Sequence, residues 1–246
     1  MQNIKLTQIV NAGLLIEGNG KKILIDAIHC EKTHEWSTVT DELMDYMIYG
    51  SGKFKDINFL LFTHCHKDHF NAEKTFEYIR NNKAEMLITP KLGDSDCKSS
   101  GLLKELDTDY YQIGTVDMDN LKISYLRTKH LAHEKVGIDH YVYIVEIDKK
   151  IILFLGDADF CKAELAQSIK DISADVLVAP FIVVNSTLGR KFVENINPRI
   201  LILNHLPGRE DDSSRYRGLT DRNIEKFEHM LPETIIFQNL YDEAHI

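Results

Sequence analysis

The sequence predicts an α/β fold of two similar β-rich halves, each covered by helices on one side, with the two sheets packed face to face. Two observations support this. Short apolar runs alternate with stretches of helical spacing along the 246 residues, and no low-complexity linker interrupts them. The halves also share a pattern, because KKILID and KKIILFLGD both run from two lysines through an apolar stretch to an aspartate, Asp26 and Asp157. We therefore expect one domain that spans residues 1–246.

The first half contains mostly strands. Its predicted strands are the apolar runs at residues 4–10, 13–18, 21–27, 57–64 and 85–90. EGNGKK, residues 17–22, reads as a hairpin loop, and INFLLFTH, residues 57–64, has the composition of a strand that is buried on both faces. A helix is expected at residues 71–82, with Asn71 as its N-cap.

The second half repeats this order of strands and helices. Its predicted strands lie at residues 121–128, 141–148, 149–158, 174–180, 199–205 and 233–238. Helices are expected at residues 161–172 and 220–231.

The insert at residues 29–54 is too long for a simple crossover loop. It contains Trp36, the only tryptophan, and an amphipathic stretch that predicts a helix from Asp41 to Tyr49. We interpret the insert as a lid or pocket wall, with a packing extension or dimer contact as an equal alternative.

One stretch concentrates potential metal ligands. LLFTHCHKDHF holds His64, His66, Asp68 and His69 within six positions. Residues i and i+2 of an extended segment point to the same side, so His64 and His66 can reach one cation while Cys65 points away. Asp68 and His69 fall where the strand gives way to a helix, so the turn can direct them to a second position. Imidazole suits zinc, iron or manganese, and a carboxylate adds charge neutralisation for a second divalent ion.

This stretch resembles the HxHxDH motif of the metallo-β-lactamase superfamily, in particular its lactonase-like and ribonuclease Z-like members. The resemblance extends over almost the whole chain. GLLIEGNGKKILIDA looks like the opening strands of the family, and IILFLGDADF looks like the strand that ends in the metal-bridging aspartate, here Asp157. LKISYLRTKH resembles the strand before a third histidine, and ADVLVAP with NPRILILNHLP resembles the closing strands that end in the last ligand, here His205. The resemblance implies a four-layer αββα sandwich with a two-metal site along one edge.

Carried over residue by residue, the resemblance implies two sets of ligands and a bridge between them. These are His64, His66 and His130 for the first ion, Asp68, His69 and His205 for the second, and Asp157 as the bridge. Independently of the resemblance, His130, Asp157 and His205 each end an apolar run, and ligands at the ends of neighbouring strands converge on one rim. The expected cofactors are two divalent ions, with Zn²⁺ first and Mn²⁺ or Fe²⁺ as alternatives.

The other histidines receive weaker assignments. The third ligand stays open between His130 and His133, and His130 is preferred because it closes the strand directly. His140 starts the next strand and is expected to be structural, while Asp26 is expected to accept a hydrogen bond that orients a ligand histidine. The histidines that match no motif are expected at the surface: His29, His34, His229 and His245.

The predicted activity is that of a binuclear hydrolase. Two divalent ions about 3.5–4 Å apart would share a water and lower its pKa from about 15.7 towards about 7, so that hydroxide attacks a carbonyl carbon or phosphorus. Asp68 can orient this nucleophile and accept its proton, which makes Asp68 the predicted catalytic residue. The expected substrate is a small-molecule ester, lactone or phosphoester.

Three alternatives compete with this function: a phosphodiesterase or nuclease of the ribonuclease Z type, a diiron redox module, and a non-catalytic metal-binding protein. Lys and Arg total 29 against 38 Asp and Glu, and this formal charge of −9 argues against a nucleic-acid partner. Redox relatives replace a histidine of the motif with a carboxylate, whereas this motif keeps its histidines. All seven ligand positions are filled, which argues against a vestigial site.

Compartment and partners are predicted from composition. No basic region followed by an apolar stretch opens the sequence, and no apolar run approaches the roughly 18 residues of a membrane span. The cysteines are scattered without a CxxC pair: Cys30, Cys65, Cys97 and Cys161. We expect a cytoplasmic protein with reduced thiols and no membrane association, and a homo-oligomer is left open.

Overall fold

The structure is a computed structural model that describes residues 4–32, 36–88, 103–106, 108–118, 121–131 and 138–246. Within these ranges the strands form two seven-stranded sheets.

The first sheet joins an antiparallel meander to parallel strands. Its strands are β1 (Lys5–Gln8), β2 (Leu14–Gly18), β3 (Lys21–Ile25), β4 (Phe59–Leu61), β5 (Glu85–Ile88), β6 (Leu103–Glu105) and β14 (Glu243–His245). Their order across the sheet is β14-β1-β2-β3-β4-β5-β6, with antiparallel pairing up to β3 and parallel pairing from β3 to β6. The β2–β3 hairpin turns at Asn19 and Gly20, as the EGNGKK pattern predicts.

The second sheet repeats this change from antiparallel to parallel pairing. Its strands are β7 (Ile113–Met118), β8 (Leu121–Thr128), β9 (His140–Ile147), β10 (Lys150–Phe154), β11 (Val176–Pro180), β12 (Ile200–Asn204) and β13 (Glu233–Ile236). They pair in chain order, antiparallel up to β10 and parallel from β10 to β13. The two Lys-Lys strands, β3 and β10, thus occupy the same position in their sheets, in agreement with the predicted similarity of the halves.

Helices cover the outer faces of the sheets. They are α1 (Asp41–Ile48), α2 (Ala72–Asn81), α3 (Ala163–Ile169), α4 (Ile182–Asn185), α5 (Thr187–Ile196) and α6 (Tyr216–Phe227). Asn71 caps α2 as predicted, because its side chain accepts a hydrogen bond from the backbone N–H of Lys74 at 2.9 Å. Among the described residues, every helix is too short or too polar to cross a lipid bilayer.

Three buried apolar clusters separate the layers. The middle cluster lies between the sheets and includes Ile16 of β2 and Tyr143 of β9. Leu15, which points the other way from β2, joins a cluster with α1 and α2, and Leu177 of β11 joins a third cluster with α3 and α5. The order is therefore helix, sheet, sheet, helix, which confirms the αββα sandwich.

Some boundaries differ from the prediction. The strand expected at residues 57–64 is paired only over Phe59–Leu61, because the backbone N–H of Thr63 donates to the Asp26 carboxylate at 2.8 Å instead of to a neighbouring strand. The helix expected to start at residue 220 starts at Tyr216, because the side chain of Asp212 accepts the N–H groups of the first turn. The strands β6, β7 and β14 and the helices α4 and α5 were not predicted.

Candidate metal centre

All seven predicted ligands lie along one edge of the sandwich. Residues 64–69 follow β4, His130 follows β8, Asp157 follows β10 and His205 follows β12. Both sheets therefore contribute to one rim at the carboxyl ends of their strands. Ligand atoms within 4.8 Å of one another form three overlapping groups: His64, His66 and His130; His64, His69 and Asp157; and Asp68, His69 and His205.

The first group joins the two sheets. His64 Nε2 lies 2.8 Å from His66 Nδ1 and 3.2 Å from His130 Nε2. His64 and His66 thus face one point, as their i, i+2 spacing predicts, while Cys65 between them is exposed.

The second group lies beside the first. His69 Nε2 is 3.0 Å from His205 Nε2, and His205 Nε2 is 3.3 Å from Asp68 Oδ2. The turn after β4 therefore sends His69 and Asp68 to a position different from that of His66.

Asp157 stands between the two groups. Its Oδ2 atom lies 3.6 Å from His130 Nε2 and 3.5 Å from the Nε2 atoms of both His69 and His205. One carboxylate thus reaches nitrogens of both sets, which is the geometry of a bridging residue.

Asp26 fixes the orientation of two of these imidazoles. Its carboxylate accepts hydrogen bonds from the Thr63 N–H at 2.8 Å and the Thr63 hydroxyl at 2.6 Å, and His69 Nδ1 lies 2.9 Å from it. Because the Thr63 hydroxyl donates to Asp26, it accepts from His64 Nδ1 at 2.9 Å. His64 therefore carries its proton on Nδ1 and presents an Nε2 lone pair to the centre, and His69 donates from Nδ1 to Asp26 with its Nε2 atom turned to the centre. This is the orienting role that the sequence predicts for Asp26.

The tautomer of His130 follows from its partner as well. His130 Nδ1 lies 2.6 Å from the Leu131 carbonyl oxygen, which only accepts, so the proton is on Nδ1. The Nε2 lone pairs of His130 and His64 consequently face each other at 3.2 Å with no proton between them. Two such lone pairs repel each other, and a shared cation removes the repulsion. Imidazole nitrogens and carboxylate oxygens are suitable ligands for a divalent ion, so the residues fit the implied metals.

The charges of the site also call for a cation. Burial lowers the pKa of His64 well below its ordinary value and lowers the pKa of His66 to about 4. Burial acts to raise the pKa of Asp68 and Asp157, but the neighbouring imidazoles of His205 and His69 outweigh it, so both carboxyls have a lowered pKa and stay ionised. The imidazoles of His64 and His66 are thus neutral beside two ionised carboxylates.

His69 carries the balancing charge in this arrangement. Burial acts to lower its pKa, but the carboxylates of Asp157 and Asp26 outweigh burial and raise it. The proton on His69 therefore supplies the positive charge that a metal ion would supply beside these carboxylates.

The prediction of a surface position for His29 is wrong. Its side chain is fully buried, neither ring nitrogen makes a well-formed hydrogen bond, and burial together with the charge of His69 lowers its pKa to about 4. The Val10 carbonyl acts in the opposite direction. His29 follows a bridge between Ile28 and Phe70, which draws it under the ligand loop. This bridge joins segments distant in sequence, and no local pattern indicates it.

The structure also places three of the remaining histidines, of which His229 and His245 are exposed as predicted. His140 begins β9, is fully buried, and lies with its ring 5.1 Å from the ring of His64. His34 and His133 lie outside the described residues. Among the described residues His130 lies at the rim with His64 and His66, and its choice over His133 stays a prediction.

The insert divides into two parts. Helix α1 packs in the outer cluster with α2, so this part of the insert is a packing extension. Trp36 instead reaches the rim, where its indole meets the His205 imidazole edge to face at 4.4 Å. Ser37 fixes this segment, because its hydroxyl donates to Asp211 at 2.8 Å and accepts from the Gly208 N–H at 2.7 Å.

Comparison with known proteins supports this assignment of the fold. The family model described as "Beta-lactamase superfamily domain" matches residues 5–205. No curated protein matches the chain.

Several solved structures share the fold. Igni18, a metallo hydrolase from the archaeon Ignicoccus hospitalis, is 17% identical, with a TM-score of 0.66 over 99% of this chain and 98% of its own. An isothiocyanate hydrolase from Delia radicum gut bacteria is 18% identical, with a TM-score of 0.64 over 98% of both chains. CmlA, a diiron β-hydroxylase from Streptomyces venezuelae, is 12% identical, with a TM-score of 0.66 over 99% of this chain and 54% of its own. At these identities the likeness is one of fold.

Proposed function

The chain belongs to the beta-lactamase superfamily, whose model spans residues 5–205, and from this premise we propose that it is a metal-dependent hydrolase with two divalent cations at the rim. The observation that supports the proposal most strongly is the convergence of imidazole Nε2 atoms around the Asp157 carboxylate, with the lone pairs of His64 and His130 facing each other.

The proposed ligands follow the two groups at the rim. The first cation would be held by His64, His66 and His130 and the second by Asp68, His69 and His205, and Asp157 would be shared between them. Bound there, divalent cations would supply Lewis acidity, which lowers the pKa of water towards about 7 and polarises an electrophile.

Asp68 has the proposed role of orienting the attacking water. Its lowered pKa keeps the carboxylate ionised at neutral pH, so it accepts a hydrogen bond from water. The same low pKa makes it a weak store for a proton, so orientation is the larger part of its proposed contribution.

The proposed substrate is a small-molecule ester, lactone or phosphoester, as in lactonase-like members of the superfamily. Zinc is the proposed metal because neutral imidazole dominates the ligand set, with Mn²⁺ or Fe²⁺ as alternatives. The isothiocyanate hydrolase among the neighbours supports an electrophilic small molecule, and the diiron enzyme CmlA makes iron the strongest alternative to zinc.

Elemental analysis of purified protein, together with a panel of lactones, thioesters and phosphodiesters, tests the proposal. We expect close to two divalent ions per chain and turnover of at least one class. His66→Ala should lose metal and activity together, because it removes a nitrogen 2.8 Å from His64 Nε2. His229→Ala, which removes an exposed imidazole distant in sequence from the rim, is the matched control and should keep both.

Other outcomes identify the competing functions. A His66→Ala protein with full metal and activity would contradict the ligand assignment. Turnover confined to phosphodiesters, with salt-sensitive RNA binding, would support a nuclease of the ribonuclease Z type. Full metal loading without turnover of any class would support a non-catalytic metal-binding protein.

A further inference from the structure

Three aromatic side chains, Trp36, Phe181 and Tyr216, form an aromatic wall beside the second ligand group. The Trp36 ring lies nearly parallel to that of Tyr216, with centroids 6.2 Å apart and planes at 12°. Phe181 is 5.0 Å from Tyr216 and 6.3 Å from Trp36. Trp36 also contacts the imidazole of His205 at 4.4 Å, so the wall adjoins the rim directly.

The wall is assembled from three separate segments. Trp36 comes from the insert at residues 29–54, Phe181 follows β11, and Tyr216 is the first residue of α6. Hydrogen bonds of Ser37 hold the insert against the loop that follows β12, and the Asp212 side chain, which accepts the Tyr216 N–H at 2.6 Å, fixes the start of α6. The rings are therefore preorganised before any ligand arrives, and such preorganisation lowers the entropic cost of binding.

Part of the wall is open to solvent. Phe181 is buried, whereas Trp36 and Tyr216 are only partly buried. Two apolar residues close to the wall in sequence are also exposed: Ile182, next to Phe181, at 39%, and Leu219, one turn after Tyr216, at 41%. Apolar side chains of this size left accessible beside a site of imidazoles and carboxylates are typical of a ligand surface.

We propose that the aromatic wall binds an apolar aromatic group of the substrate, next to the bond that is cleaved at the rim. Preferred substrates are therefore aryl-bearing esters, lactones or phosphoesters rather than their short alkyl or charged counterparts. Stacking on the partly open rings favours a planar group over an aliphatic one of equal size. This inference rests on the proposed hydrolase function for the position of the scissile bond.

Direct binding tests the wall without any turnover. Trp36 is the only tryptophan of the chain, so tryptophan fluorescence reports on this position alone. We expect benzylphosphonate to change the fluorescence and to bind about tenfold more tightly than methylphosphonate, which has the same head group without the ring. Equal affinity and an unchanged spectrum would overturn the proposal.

Kinetics with matched substrates gives a second readout. Methyl phenylacetate carries a ring on the acyl side of the ester bond, and benzyl acetate carries a ring on the alcohol side. Methyl acetate has no ring. Tyr216→Leu should lower the ratio of kcat/KM for the preferred aryl ester to kcat/KM for methyl acetate about tenfold, through the KM of the aryl ester. Tyr216→Phe, which keeps the ring, should restore the ratio, and Tyr49→Leu, at a position 67% exposed just after α1, should leave both values of kcat/KM unchanged.

The two proposals fail in different ways. If no ester, lactone or phosphoester is hydrolysed but benzylphosphonate still binds about tenfold better than methylphosphonate, the wall stands and the hydrolase proposal falls. If hydrolysis occurs with equal kcat/KM for aryl and alkyl esters and Tyr216→Leu matches the wild type, the wall is overturned and the hydrolase stands.

Discussion

Three residues at the rim hold their backbone in the left-handed region: Asp26 at φ 48°, Gly156 at φ 53° and His205 at φ 57°. For a residue with a side chain this conformation costs on the order of 1–3 kcal/mol, and it persists where the surrounding structure imposes it. Asp26 is held by Thr63, and the His205 N–H donates to the Asn11 carbonyl at 3.2 Å. Asp26 and His205 are therefore held in position at the rim by the surrounding structure, whereas other left-handed residues, such as Asn19 and Asp148, lie in hairpin turns.

Gly156→Ala is predicted to damage the site as well as the fold. An added Cβ would lie 2.7 Å from Thr63 Cγ2 and 2.9 Å from His140 Nε2. The clash displaces Thr63, whose hydroxyl fixes the tautomer of His64, so metal affinity should fall about tenfold or more. Metal titration and urea unfolding measure the two effects.

Gly20→Ala is the matched control for that variant. Gly20 has a similar φ of 72° but nothing within 4 Å of an added Cβ. The Gly20→Ala variant should lose about 1 kcal/mol of stability, because alanine disfavours this backbone conformation, and it should bind metal normally. Equal destabilisation of the two variants with unchanged metal affinity would refute the role of Thr63.

Single residues were predictable where they are close in sequence or end a strand. The motif at residues 64–69 is contiguous, and Asp157 and His205 each terminate an apolar run. His29 was missed because its burial depends on the bridge between Ile28 and Phe70, which no local pattern encodes. Trp36 stood out as the only tryptophan, but its contact with His205 depends on how the insert folds back.

Among the elements, the parallel strands β10 and β12 lead to the ligands Asp157 and His205, with β11 between them, and Asp175 joins the starts of all three strands. Its side chain accepts hydrogen bonds from the Ile151 N–H at 3.0 Å and the Lys150 ammonium at 2.7 Å, and its carbonyl accepts the Ile200 N–H at 3.0 Å. Burial acts to raise the pKa of Asp175, but Lys150 and the Ile151 N–H outweigh burial, so the pKa is lowered. The folded state therefore favours the ionised form.

Asp175→Asn is predicted to destabilise the protein in a pH-dependent manner. A carboxyl with a lowered folded pKa contributes stability above its ordinary pKa and loses it as pH falls through the folded value. The variant should be about 1 kcal/mol less stable at neutral pH, and the difference should shrink below about pH 4. Urea unfolding at both pH values measures this. Asp117→Asn, at an exposed position on β7, should have no effect, and a pH-independent deficit in Asp175→Asn would contradict the explanation.

The elements that were not predicted are either too short to show a pattern or have a sequence that favours a different structure. Strands β6 and β14 have three residues each, too few for an alternating pattern to emerge. Helix α4 follows β11 directly and begins with Ile182, Val183 and Val184, a β-branched sequence that favours a strand by propensity. Tertiary packing overrides that preference, because Val183 and Val184 are fully buried in the cluster that contains α3 and α5.

Across the whole molecule, the site exists only when the two halves are packed together. The first sheet supplies residues 64–69, and the second supplies His130, Asp157 and His205. The similarity of the halves could be predicted from the Lys-Lys pattern, because β3 and β10 occupy the same position in their sheets. The pairing of β14 with β1 could not be predicted, because Lys5 and His245 lie at opposite ends of the sequence.

Anomalous diffraction from crystals of the purified protein, recorded at the absorption edge of whichever metal elemental analysis finds, would locate the bound ions themselves. We predict two peaks about 3.5–4 Å apart, one among the imidazoles of His64, His66 and His130 and one among Asp68, His69 and His205, with Asp157 between them. A single peak would contradict the binuclear centre. Metal-loaded crystals with no peak at this rim would contradict the ligand assignment altogether.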